Sequence, residues 1–141
     1  MTSFPQVLMT ALAVQVLCQA FKFIRYSIRD GRMNPHYLVT AGGVPSAHTA
    51  FVSALAVAVG LRNGFATDLF AVAFVFGAIV VYDAFRLRGH VQNHARIINQ
   101  HVLGPLNQKP VTEMVGHSVG EILWGVVVGG GGSAAITLLL Q

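Results

Sequence analysis

Long apolar runs alternate with short polar ones along this chain. Four apolar segments, at about 4–23, 46–61, 66–85 and 119–140, reach or approach the length needed to cross a bilayer. The second is short, which suits a tilted or partly sunken helix. Between the third and fourth lies the polar stretch 86–116, where Val91, Ile97, Ile98, Val102 and Leu103 form the apolar side of an amphipathic, interfacial helix that Pro105 and Pro110 then end. The pattern predicts an all-α, polytopic membrane bundle of about four transmembrane helices plus an interfacial helix, built as a single domain over residues 1–141. Gly125, Gly129 and Gly132 recur at near-helical spacing on the fourth segment, a face suited to close helix contact and read here as the seam of a homodimer.

Composition agrees with a lipid environment. Apolar residues make up 54% of the chain and charged residues 10%, with a mean hydropathy of +0.62, and a soluble fold of 141 residues has no interior large enough for that balance. No room remains for a separate soluble catalytic domain. The lone Cys18 excludes an internal disulfide or a thiolate metal cluster and reads as a packing residue. The N-terminus lacks the basic flank and small-residue cleavage site of a signal peptide, so the first segment is expected to persist as an anchor.

Charge then sets the topology. Lys22, Arg25, Arg29 and Arg32 follow the first segment and Arg86, Arg88, Arg96 and Lys109 follow the third, against Arg62 alone between the second and third. By the positive-inside bias both basic loops are cytoplasmic, and the protein is expected in a bacterial inner membrane with its site facing the cytoplasm. Three polar clusters then share one membrane face: Lys22 to Arg32, Gly42 to His48, and His117 with Glu121. Ionisable groups at membrane depth are costly and mark functional sites, so their convergence points to one interfacial site.

The residue types suit phosphate chemistry, which needs charge neutralisation, an aligned nucleophile and a proton for the leaving oxygen. Lys22 and Arg29, seven apart, can present two cations from one helix face. Gly42 and Gly43 permit close backbone approach, and Pro45 and Ser46 begin a helix whose free amides favour an anion, with His48 in its first turn. His117 and Glu121, four apart, let a carboxylate hold an imidazole in one tautomer and raise its basicity, and such an imidazole can attack phosphorus. Each has a plainer reading: a topology signal for the basic cluster, a turn and cap for Gly42 to Ser46, a local ion-pair partner for Asp83. His90 and His94 are also four apart, but they have no acidic or thiol companions, and no metal is expected. Nothing in the pattern suggests nucleic acid as a partner.

The motifs Gln19 to Lys22, Gly42-Gly-Val-Pro-Ser-Ala-His48-Thr, Val81-Tyr-Asp83-Ala with Arg88, Ile98-Asn99-Gln100, and Val115-Gly-His117-Ser-Val-Gly-Glu121 together resemble the divergent type 2 phosphatidic acid phosphatases, relatives of the vanadium-dependent haloperoxidases, over nearly the whole chain. The resemblance implies the phosphatidic-acid-phosphatase/haloperoxidase-like core. It also implies a metal-independent phosphatase with no cofactor, whose site phosphate or vanadate can occupy, hydrolysing a lipid phosphomonoester or diphosphate. His117 would form a phosphohistidine, Glu121 would orient it, His48 would act as general acid, and Lys22, Arg29, Gly43 and Ser46 would cradle the phosphate. Asp30 stands where that family has proline, Ala47 where it has glycine, and Val111 where its third motif has arginine. Arg88 is the expected replacement, oriented by Asp83, which is alternatively a partner of His48; Arg86 and Arg32 are the other candidates. Two other functions fit the same pattern: an inactive relative that binds phospholipid headgroups, and a structural membrane subunit.

Overall fold

The computed structural model describes residues 5–38, 43–113 and 115–140, with the side chain of His36 left out. Five α-helices carry the fold: α1 (Gln6–Asp30), α2 (Ala47–Asn63), α3 (Asp68–Tyr82), α4 (Arg88–Ile98) and α5 (Val119–Leu139). A short 3₁₀ turn, Pro35–Leu38, follows α1. The described residues contain no strand.

Each boundary has a local cause. Pro5 precedes the first turn of α1, where a missing amide proton costs nothing, and Gly31 closes the helix in the left-handed region at φ 62°. Ser46 caps α2, Thr67 caps α3 by accepting from the Phe70 amide, and Ser118 caps α5. The Ser118 hydroxyl accepts from the Glu121 amide while the Glu121 carboxylate accepts from the Ser118 amide, a reciprocal capping box.

Helix α2 is the hub, packed against α1, α3 and α5. Its 17 residues span about 26 Å, less than a hydrocarbon core of about 30 Å, and its neighbours cover it. Ala50, Ala54 and Ala58 are fully buried along it, and α5 meets this row with glycines. A Cβ added at Gly129 would lie 2.2 Å from the Ala50 carbonyl oxygen, and one at Gly125 would lie 2.7 Å from that of Ser46. The seam also carries a hydrogen bond from the buried Ser133 hydroxyl to the Ala54 carbonyl at 2.8 Å. A Cβ at Gly132 would touch Val14 of α1. The three glycines assigned above to a dimer seam therefore pack inside the chain, and that face is not free to receive a second copy. Spacing reveals a close-contact stripe but not which helix it contacts.

Three helical runs, Gln6–Asp30, Asp68–Leu103 and Val119–Leu139, are long and apolar enough to cross a membrane. Their outward faces carry exposed Leu, Val, Ile and Phe, as lipid-facing surfaces do. The second run departs from the sequence boundaries. The third apolar segment does not stop near residue 85 but continues through α4 as one helical run of 36 residues, with π turns at Asp83–Leu87 and Asn99–Leu103. Arg86 and Arg88 end the apolar character without ending the helix, because charged residues are good helix formers once clear of lipid. The run ends only at Gly104 and Pro105.

Candidate active site

One end of the bundle gathers the polar residues. The C-terminal half of α1 brings Lys22 and Tyr26, the start of α2 brings His48, the π turn after α3 brings Asp83 and Arg88, and the start of α5 brings His117 and Glu121.

His117 is the best-defined member. Its side chain is fully buried, and its Nδ1 lies 3.0 Å from Glu121 Oε2. The same oxygen accepts the Ser118 amide at 3.1 Å, so the cap that starts α5 also fixes the imidazole. With Nδ1 directed at a carboxylate, the proton belongs on Nδ1 and the lone pair on Nε2. Nε2 is buried and meets no hydrogen-bond partner among the described residues. Burial pushes the His117 pKa below the ordinary histidine value; the hydrogen bond to Glu121 opposes this and the charge of Lys22 adds to it. The ring is therefore neutral at neutral pH, as a nucleophile must be.

Lys22 is fully buried, with Glu121, His117 and His48 in electrostatic reach. An ammonium in this position acts electrostatically on His117. His48 is half-buried, its Nδ1 meets no hydrogen-bond partner among the described residues, and it feels the charges of Arg88, His117, Lys22 and Asp83. Arg88 Nε donates to Asp83 Oδ2 at 3.0 Å. Residues five apart point about 140° apart in a regular α-helix, and the intervening π turn is what brings these two side chains together.

The remaining expected residues fare differently. Gly43 takes φ 91° and lies against Tyr26, where a Cβ would fall 1.7 Å from the phenolic oxygen, so only glycine fits. Ser46 is buried; its Oγ accepts from the Thr49 amide and hydroxyl, and its own amide donates to the Glu121 carbonyl, tying α2 to α5. Arg29 is not brought into the site. Its side chain is 62% exposed, pairs with Asp30 at 2.7 Å and stacks 4.8 Å from the Tyr26 ring centroid. The seven-residue spacing does keep Lys22 and Arg29 on one face, but the two extra turns carry Arg29 beyond the packed part of the bundle. Gly42 lies outside the described residues. Among the arginine candidates, Arg88 is near both histidines, whereas Arg32 lines a separate shallow depression beside Phe23 and Ser27.

Tyr26, Gln92, Arg96 and Glu113 join the site with no site role assigned from the sequence, and Asn99 gains one beyond its place in the motif Ile98-Asn99-Gln100. A cavity of about 510 Å³ opens beside His117, with Tyr26, Gly43, Gln92, Arg96 and Glu113 among its walls. Asn99 clamps the loop that leads to His117: its Nδ2 donates to the Val111 carbonyl and to Glu113 Oε1, both at 2.8 Å, and its Oδ1 accepts from the Val111 amide at 2.9 Å. Arg96 pairs with Glu113 at 3.4 Å, and Gln92 accepts from the Gly116 amide. The loop is thus strapped to α4, and Val111, at the place of the missing motif arginine, is held by its backbone. No group of three or more His, Cys, Asp or Glu among the described residues is arranged to hold a metal ion.

Fold and site together define an integral membrane protein of helical type with a buried, carboxylate-oriented histidine beside a buried lysine at one end of its bundle. Residues 4–131 match the family model described as the Divergent PAP2 family, and the chain belongs to that family. It is similar to the uncharacterized membrane protein YuiD of Bacillus subtilis (strain 168), 30% identical over 145 residues that cover 92% of this chain and 90% of the relative. No solved structure matches.

Proposed function

We propose that the protein is a metal-independent lipid-phosphate phosphatase that works through a phosphohistidine on His117. The observation that carries this reading is the buried imidazole whose Nδ1 is held by Glu121 while Nε2 meets no hydrogen-bond partner among the described residues. In the proposed cycle Nε2 attacks phosphorus, the bond from phosphorus to the lipid oxygen breaks, and that oxygen takes a proton from His48. Water then attacks the phosphohistidine, returning a proton to His48 and releasing inorganic phosphate with His117 restored. Lys22 and Arg88, with the backbone at Gly43, neutralise charge as it develops on the phosphoryl oxygens. Asp83 orients Arg88. Arg29 has no direct part in this reading, and Ser46 acts by holding α2 against α5.

Family membership supports a phosphatase ancestry, the Bacillus subtilis relative supports a bacterial plasma membrane, and the distribution of Lys and Arg supports a site at the cytoplasmic face. The test is phosphate release by purified protein from phosphatidate, phosphatidylglycerol phosphate and a polyprenyl diphosphate, with EDTA present and His117→Ala as control. Release that the control abolishes supports the reading. Binding of anionic lipid without release from any substrate replaces it with headgroup recognition, for which Ala47, buried where the resembled motif has glycine, supplies the reason.

A further inference from the structure

A second cavity, of about 700 Å³, adjoins the polar one and differs from it in kind. It lies between α1 and α5, walled by Leu17 and Phe21 on one helix and Trp124 and Val128 on the other, with Arg25 among its lining residues. All four apolar wall residues are well exposed in the chain alone. The two cavities share Ser118 and Glu121, so the carboxylate that orients His117 forms part of the partition between them. Gly120 also borders the apolar cavity, and a Cβ there would meet nothing within 4 Å, so the first turn of α5 does not crowd it.

Resting on the phosphatase reading, we infer that the α1–α5 groove is the seat of the substrate's hydrocarbon chain, holding the segment nearest the phosphate while the rest of the chain stays in the bilayer. The wall shared with the polar cavity, Ser118 and Glu121, decides the occupant. A chain in the groove delivers its head to the side of Glu121 on which His117 lies, whereas an unrelated apolar ligand would have no reason to sit against a carboxylate. The charge order fits as well, because Arg25 stands about 12 Å along the axis from Leu17, at the end nearer Lys22. An anionic headgroup thus meets a cation where its chain gives way to polar atoms. The volume falls within the range of pockets that enclose small ligands, enough for part of one chain. The groove therefore selects for a lipid tail as such, and water-soluble phosphates would forgo that binding energy.

The test fills the groove. In Leu17→Trp and Val128→Trp, both at lipid-accessible positions, the KM for long-chain phosphatidate in phosphatidylcholine vesicles should rise at least about fivefold, with kinetics on glycerol 3-phosphate unchanged. Val72→Trp, on the exposed face of α3, should alter neither. Equal effects on both substrates, or none on either, would overturn the groove assignment. A second readout needs no turnover: phosphatidate carrying a diazirine on its chain should label residues 17–25 and 120–128, and both groove variants should reduce that labelling. Labelling spread over α3 overturns the inference even in an active protein. Absence of phosphate release with groove labelling intact overturns the phosphatase reading and leaves the groove standing as a lipid site.

Discussion

The α2–α5 seam and the polar site are built on different terms. Where α2 meets α5, alanine faces glycine, the backbones nearly touch, and the buried Ser133 hydroxyl is matched by a carbonyl. In the polar site, the buried His117 Nε2 and His48 Nδ1 meet no hydrogen-bond partner among the described residues, and Lys22 is enclosed among ionisable groups. Unsatisfied buried polar atoms cost roughly 1–3 kcal/mol each, so a fold keeps them only where the rest of the structure holds them in place. The tight seam is what holds these. It continues directly into the site, since Ser46 both caps α2 and donates its amide to the Glu121 carbonyl.

Breaking the seam should have the largest effect. Gly129→Leu forces atoms into the Ala50 backbone, which cannot yield without parting the helices, and we expect a loss of about 3 kcal/mol or more, read as a collapse of the thermal unfolding midpoint in detergent. An unchanged midpoint would mean that the seam is looser than described. At the opposite pole, His117→Ala should abolish phosphate release yet lower that midpoint far less than Gly129→Leu, because the fold loses a single hydrogen bond, from Nδ1 to Glu121, and no helix is forced apart.

Glu121→Gln sharpens the contrast, since this residue belongs to both regions. Turnover should fall about a hundredfold, the scale of losing a group that orients a reactive ligand, with a smaller loss of helix-cap stability. Its pH profile carries a sign. Burial lowers the His117 pKa, so the acid limb of kcat should lie below the ordinary histidine value of 6.5, and activity should persist at mildly acidic pH. The hydrogen bond to Glu121 opposes that depression, so the glutamine variant should move the limb lower still, not higher. The smallest effects separate the arginines. Arg88→Ala should raise the KM for a lipid phosphate by about tenfold, whereas Arg29→Ala, at an exposed pair with Asp30, should change it less than about twofold.

How much of this was legible follows from the range of each interaction. Helix starts are legible because their causes are local: Ser46 before an apolar run announces α2, and Ser118 followed three residues later by Glu121 spells a capping box that shares its carboxylate with the His117 pair. The end of the third helix was misplaced because hydropathy was allowed to stand for helicity, although no strong breaker appears before Gly104-Pro105. Asn99 and Val111 are twelve residues apart and joined only by the fold, so the clamp on the His117 loop left no local signal. Arg96 gave a topology count but not its place on the cavity wall, because helical phase across two π turns cannot be extrapolated from 3.6 residues per turn.

The doubly used oxygen of Glu121 makes reactivity and architecture a single variable. A substitution that altered how strongly the carboxylate grips the imidazole would also alter how firmly the first turn of α5 is closed. Any unwinding or tightening of that first turn therefore reaches the buried imidazole through one oxygen atom.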